Sequence, residues 1–216
     1  MIDITQAIEA VRREVGTGRI AAGEGRSIRL QREFEASIED VWDAVTDPGR
    51  ISRWFLPIHG DLHVGGHYQL EGNAGGEVLE CEEPRRYRVT WVYGEVTTPA
   101  DVSELEVRLT SLDDGSTRFE LEHIAIVPDE AWAMYGPGAV GVGWDGGLLG
   151  LALHLSKESV GDPIAWQLSE EGREFNTRSS MAWGAANEVA GADPEAAAAA
   201  VANTTAFYAP DPGASA

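Results

Sequence analysis

The sequence predicts an α+β fold in which a curved antiparallel sheet is covered by a long helix near the end of the domain. Between residues 28 and 125, apolar and polar residues alternate over several segments, as in strands that have one face in water. Residues 140–155 then keep apolar side chains at helical spacing over four turns. Because the apolar face of the sheet must be covered, we expect the helix to lie across it and to enclose a space suited to a small apolar ligand.

Residues 37–57 predict two short helices that meet at a tight corner. Ser37 has the position of a cap for the first helix, and Asp47 followed by Pro48 begins the second. The apolar faces of the two helices carry two tryptophans, Trp42 and Trp54. We therefore expect both tryptophans to be buried.

The predicted strands share an inward face that is rich in aromatic residues. The first strand is predicted over residues 28–36. The inward residues of three later strands are Tyr87, Val89, Trp91 and Tyr93, then Leu105, Val107 and Leu109, and after a turn Phe119, Leu121, His123 and Ala125. Shorter strands near residues 68–70 and 78–81 complete the antiparallel sheet.

The long helix contains five glycines, at positions 141, 143, 146, 147 and 150. Each costs about 1 kcal/mol relative to alanine in a helix interior. The helix must therefore be held by its packing on the sheet. The missing side chains either let backbone approach backbone or leave room for a ligand.

Both ends of the chain extend beyond this core domain, which we place at residues 25–160. Residues 1–24 are predicted as a helical extension, with a helix from Asp3 to Val15 followed by a flexible glycine-rich connection. Residues 161–208 are predicted as a helical hairpin packed on the same domain, because their apolar content is too thin for an independent core. Residues 209–216 are predicted as a disordered tail.

Composition limits the partners. The formal net charge of −20 argues against nucleic acid and anionic membrane surfaces, both of which need a positive patch. No segment is apolar enough to span a bilayer, and the first residues are too acidic for a secretory signal, so we expect a cytoplasmic protein. Cys81 is the single cysteine, which excludes an internal disulfide.

Neither a metal nor a cofactor is expected. His59, His63 and His67 recur every fourth residue, but the glycines between them interrupt any helix that would bring them together. Gly136, Gly138 and Gly141 have the spacing of a dinucleotide-binding motif, but the strand that this motif requires before it is missing.

The sequence resembles the START/SRPBCC superfamily, specifically the family that is similar to the C-terminal domain of the activator of the heat-shock protein 90 ATPase. The resemblance covers roughly residues 25 to 157. The matching residues are Val41, Trp42, Thr46, Asp47, Pro48, Trp54, Asp61, Leu62, Gly65, Gly66, Tyr68, Gly76, Glu77, Val78, Pro84, Trp91, His123, Gly143, Trp144 and Leu148. It implies a helix-grip fold with a hydrophobic cavity between the sheet and the long helix. It supplies no catalytic signature, because the superfamily includes carriers, receptors, cyclases and chaperone activators.

The leading functional hypothesis is the binding of a small hydrophobic molecule, without evidence for catalysis. The expected ligand-binding residues are Trp91, Tyr93, His123, Trp144, Gly147, Leu148 and Leu151. Two alternatives remain. One is a co-chaperone whose partner is a chaperone ATPase, and the other is a polyketide cyclase or aromatase with His123 as acid or base. A satisfied core histidine is the simpler interpretation of His123.

Overall fold

The computed structural model describes residues 2–210 and confirms the α+β helix-grip fold. In that part of the chain the strands are β1 (Arg12–Ile20), β2 (Gly23–Phe34), β3 (Ile58–Gly60), β4 (His67–Leu70), β5 (Gly75–Glu82), β6 (Arg86–Val92), β7 (Val102–Ser111) and β8 (Thr117–Ala125). The helices are α1 (Ile4–Glu9), α2 (Ile38–Thr46), α3 (Pro48–Trp54), α4 (Asp129–Tyr135), α5 (Gly138–Leu155), α6 (Pro163–Leu168), α7 (Glu170–Val189) and α8 (Pro194–Tyr208). Apart from Ala209 and Pro210, the tail expected over residues 209–216 lies outside the described residues.

The strands form one antiparallel sheet in the order β1-β2-β8-β7-β6-β5-β4-β3. The register places His123 of β8 between Ile28 of β2 and Leu105 of β7, so the predicted inward faces are aligned across neighbouring strands. A bulge between Val78 and Glu80 interrupts the pairing of β5 with β6, and bulges of this kind bend a strand and increase its twist. The inward side of this curved sheet carries most of the hydrophobic core.

The predicted N-terminal helix is wrong beyond Glu9. Residues 12–20 form β1, an edge strand that pairs with β2 along its whole length. The glycine-rich segment expected to be a flexible connection therefore belongs to a hairpin of β1 and β2. Its glycines are needed for close packing in the sheet: a Cβ on Gly18 would lie 2.6 Å from the side chain of Ile124, and one on Gly25 would lie 2.5 Å from the carbonyl oxygen of Ala125. Glycine in a strand often marks such a close approach. It also interrupts the alternation of apolar and polar side chains by which a strand is recognised in the sequence.

The predicted helical corner is confirmed. The Ser37 hydroxyl accepts a hydrogen bond from the backbone N–H of Asp40, and the Asp47 carboxylate accepts one from the backbone N–H of Arg50 at 2.8 Å. Trp42 is buried, whereas Trp54 is half-buried. The indole of Trp54 donates to the carbonyl oxygen of a residue in α2, Ala44, at 2.9 Å. This bond ties the two short helices together.

Helix α5 packs against the inward side of the sheet, and two of its glycines allow close neighbours. A Cβ on Gly150 would lie 2.6 Å from the carbonyl oxygen of Trp54, and one on Gly141 would lie 2.3 Å from the indole of Trp183. Trp183 belongs to α7, which packs with α8 and also contacts α5 and β1. The C-terminal helices therefore complete the core from the side of α5 that faces away from α3.

A buried ion pair joins β1 to α5. Arg13 donates to both carboxylate oxygens of Asp145 at 3.0 Å, and Ser179 and Trp183 of α7 donate to the same carboxylate. Burial raises the pKa of Asp145, whereas Arg13 and the two neutral donors lower it. Since all four contacts come from donors, the geometry fits the ionised carboxylate. Arg32, whose pKa is lowered by burial, adds a second positive charge nearby.

The outer face of the sheet carries a network of ion pairs. Arg88 pairs with Glu80 and Glu104, and Arg86 pairs with Glu80 and Glu106. Because each of these arginines is paired with two glutamates, they do not form a positive patch. Of the helices within residues 2–210, none combines the length and the apolar character needed to cross a membrane.

Candidate functional site

A cavity of about 150 Å³ lies between the inward face of the sheet, the α2–α3 corner and α5, and it is partly open to solvent. Its lining contains no charged side chain. The lining residues are Val45, Thr46, Ile51, Trp54, Phe55, Ile58, Leu62, Tyr68, Leu70, Val78, Cys81, Tyr87, Val89, Trp91, Leu105, Val107, Phe119, Leu121, Trp144, Gly147 and Leu148. Concave, mostly apolar spaces with a few polar groups are the usual composition of small-molecule sites.

Four of the seven predicted ligand-binding residues line this cavity: Trp91, Trp144, Gly147 and Leu148. Gly147 faces it directly, because a Cβ at this position would first meet the ring of Phe55, at 3.7 Å. The absent side chain therefore leaves room at the point where α5 passes the cavity. Whether these residues hold a ligand stays a prediction.

The other three predicted residues lie elsewhere. Tyr93 follows the last residue of β6 and is 73% exposed, because the alternation that placed it inward ends with the strand at Val92. Leu151 is fully buried in the main core and does not line the cavity. His123 lies behind Trp91 and Trp144 and is also absent from the lining.

Both ring nitrogens of His123 are engaged within the core. The indole N–H of Trp144 lies 3.1 Å from Nδ1, and the hydroxyl of Ser103 lies 2.8 Å from Nε2. Because the indole can only donate and Ser103 donates to the carbonyl oxygen of Trp91 at 2.6 Å, Nδ1 is the acceptor and Nε2 carries the proton. Burial lowers the pKa of His123 to about 4, so the ring is neutral near pH 7. This is the satisfied core histidine, and it orients Trp144 at the cavity.

An aromatic cluster forms the wall of the cavity near α5. Phe55 stacks on Trp144 with ring centroids 6.2 Å apart, and it also contacts Trp54 at 5.5 Å. Trp91 and Trp144 lie 5.0 Å apart with tilted planes. Trp54, Trp91 and Trp144 therefore all border the same cavity. Each contact between two rings contributes about 0.5–1.5 kcal/mol beyond the burial of their surface.

Sequence reasoning missed the polar end of the cavity. Tyr87 and Cys81 are direct partners across β5 and β6, and both line the cavity, although Cys81 is also exposed to solvent. The alternation of β6 had placed Tyr87 inward, but nothing in the pattern marks which inward residues border empty space. The phenol of Tyr68 also lines the cavity and donates to the carbonyl oxygen of Thr90 at 2.8 Å.

The three regularly spaced histidines do not converge. His59 pairs with Glu71 and His63 pairs with Asp61, each at 2.6 Å on the exposed surface. Within residues 2–210, no group of three or more His, Cys, Asp or Glu side chains has a geometry that could hold a metal ion.

Comparisons with solved structures show a match over most of the chain. The crystal structure of CalU16 from Micromonospora echinospora is 36% identical, with a TM-score of 0.67, and the match covers 83% of this chain and 99% of that one. The solution structure of the same protein gives 35% identity and a TM-score of 0.69, with 83% and 96% covered. DynU16, from the dynemicin biosynthetic locus, shares the fold at 20% identity and a TM-score of 0.52, with 60% and 47% covered.

No curated protein matches the chain. The model of the family described as activator of Hsp90 ATPase homolog 1-like protein matches residues 35–155, which run from the end of β2 to the end of α5. These residues include every wall of the cavity, and the match extends over more than half of the chain. The chain therefore belongs to the activator of Hsp90 ATPase homolog 1-like family.

Proposed function

We propose that this protein binds one small, uncharged, apolar molecule in the cavity between the sheet and α5. The observation that carries the proposal is the partly open cavity of about 150 Å³, whose lining contains no charged side chain. A charged ligand would lose its hydration there without gaining a partner, at a cost of several kcal/mol. A dry cavity of about this size accommodates a ring the size of benzene, and because this cavity is partly open we set the scale of the ligand at one or two rings.

Binding is better supported than acid–base catalysis. His123, the predicted acid or base, is neutral, fully hydrogen-bonded and outside the lining. Two titratable types line the cavity, tyrosine and cysteine, and burial raises the pKa of Tyr68, Tyr87 and Cys81. All three are therefore protonated near neutral pH, and none is matched to the role of a base.

The chaperone alternative has no support beyond the description of the family. The cavity, in contrast, is a feature of this chain itself. Ligand binding is therefore the function that the following experiments test.

The test is a calorimetric titration of the purified protein with indane, an uncharged hydrocarbon of two fused rings. We expect one site, with a negative heat-capacity change because apolar surface is buried on binding. The emission of the three cavity tryptophans should change with the same saturation curve, because Trp54, Trp91 and Trp144 all line the space that indane enters.

The glycines of α5 supply a matched pair of variants. Gly147→Leu should abolish indane binding, because the new side chain enters the cavity beside Phe55. Gly146→Leu is the control, since a Cβ on Gly146 has no neighbour within 4 Å. Both variants place the same residue in the same helix, so both gain similar helix propensity. Absence of saturable binding to the wild type, or equal binding by the two variants, would contradict the proposal.

A further inference from the structure

The hydroxyl of Tyr87 stands out among the polar groups of the cavity. Tyr68 and Thr46 also line the space, but their hydroxyls donate to backbone carbonyl oxygens, those of Thr90 at 2.8 Å and Trp42 at 2.7 Å. The Tyr87 hydroxyl, in contrast, has no hydrogen-bond partner among residues 2–210, and because Tyr87 is half-buried this hydroxyl remains accessible. An accessible donor on the wall of a mostly apolar cavity is available to an oxygen atom of a ligand.

We propose that Tyr87 is the hydrogen-bond donor to the ligand, and that the ligand is an uncharged one- or two-ring molecule with a carbonyl or ether oxygen at one end. This inference rests on the proposed function and names the chemical class that the cavity takes. A neutral phenol satisfies one acceptor, and the uncharged lining selects against a carboxylate or an ammonium group.

The surroundings of Tyr87 fit a ligand that is polar at one end. Burial strongly raises the pKa of Tyr87, so its hydroxyl keeps its proton and acts as a donor. The edge-to-face contact with Trp42, with centroids 6.1 Å apart, holds the ring in place. A donor fixed in this way loses little freedom when it binds an acceptor.

The position of Tyr87 also sets the direction of the ligand. Tyr87 and Trp91 are four residues apart on the inward face of β6, a separation of about 13 Å. The Tyr87 end includes Cys81, which is exposed to solvent, whereas the Trp91 end is closed by the ring of Trp144. The oxygen of the ligand therefore lies near the rim at Cys81, and its hydrocarbon part lies against the aromatic wall.

The test compares indane with 1-indanone, which has nearly the same shape but carries one ketone oxygen. For each protein, the ratio of the two dissociation constants measures what the ketone contributes. In Tyr87→Phe the preference for the ketone should fall about three- to tenfold relative to wild type, which corresponds to one net hydrogen bond. The affinity for indane should stay unchanged, because the variant removes only the oxygen atom.

Tyr68→Phe is the matched control. Its hydroxyl already donates to the backbone, so this variant should lose stability while it keeps the wild-type ratio. If Tyr87→Phe binds both compounds as the wild type does, the assignment of Tyr87 is overturned while ligand binding stands. If neither compound binds to the wild type, the proposed function fails and the role of Tyr87 fails with it.

Discussion

Acidification from pH 7 to pH 5 should destabilise the fold by about 2 kcal/mol through His123 alone. In the folded protein its pKa is lowered from 6.5 to about 4 by burial. Between these two values the unfolded chain binds a proton that the folded protein excludes, so the free energy of unfolding falls as the pH falls. The loss begins near pH 6.5 and levels off below pH 4 at about 3.5 kcal/mol, since each unit of pKa corresponds to about 1.4 kcal/mol.

The assay is urea unfolding of the wild type and of His123→Gln at pH 7, 6 and 5. Glutamine can still meet Trp144 and Ser103 but does not titrate, so the difference between the two proteins isolates His123 from all other groups. The wild type should lose about 2 kcal/mol more than the variant between pH 7 and pH 5. Equal losses in the two proteins would show that the ring of His123 is hydrated or charged in the folded protein. The hydrogen bonds assigned between His123, Trp144 and Ser103 would then be wrong.

Two further substitutions test the packing of the core, and a third serves as a control. Asp145→Asn should cost about 3–5 kcal/mol in the free energy of unfolding, because it leaves the buried charge of Arg13 without a counterion. Asp129→Asn is the control: it breaks an exposed ion pair and should cost less than about 1 kcal/mol. Similar losses in the two variants would refute the conclusion that Asp145 is a buried counterion of Arg13. Trp54→Ala should cost about 3 kcal/mol by the same measurement, because it removes the indole bond to Ala44 and one cavity wall. A loss below about 1 kcal/mol would mean that the indole contributes little to the helical corner.

The sequence predicted those features that depend on the period of side chains along one element. The inward faces of β6, β7 and β8, the caps of α2 and α3, and the helical spacing of α5 all follow from local patterns. The same patterns place Trp91 on the inward face of β6 and Trp144 on the apolar face of α5, and both residues line the cavity. Local rules fail at the ends of elements, and this is why Tyr93, one residue past β6, is exposed.

Long-range contacts were decided by the tertiary structure alone. The ion pair between Arg13 and Asp145, residues 132 positions apart, is not visible in any local pattern. The pairing of β1 with β2 is local, but the glycines of both strands interrupt the alternation that would predict it. One signal was present: Asp145 is the one acidic residue in the apolar helix from residue 138 to residue 155. A lone carboxylate in such a helix predicts a buried partner, but it does not say which of the arginines in the chain supplies it.

The cavity shows which features the sequence determines and which depend on the tertiary structure. The sequence by itself determined that apolar faces of a sheet and a helix oppose each other, since period and polarity define the face of each element. Only the tertiary structure decided that the sheet and α5 stay apart beside Gly147. Beside Gly141 and Gly150, the space left by the missing side chain is occupied by the indole of Trp183 and by the backbone of Trp54. The physical reason is that a glycine removes volume without directing what replaces it. Whether the space becomes a contact or a cavity depends on the distance between elements that are far apart in the chain.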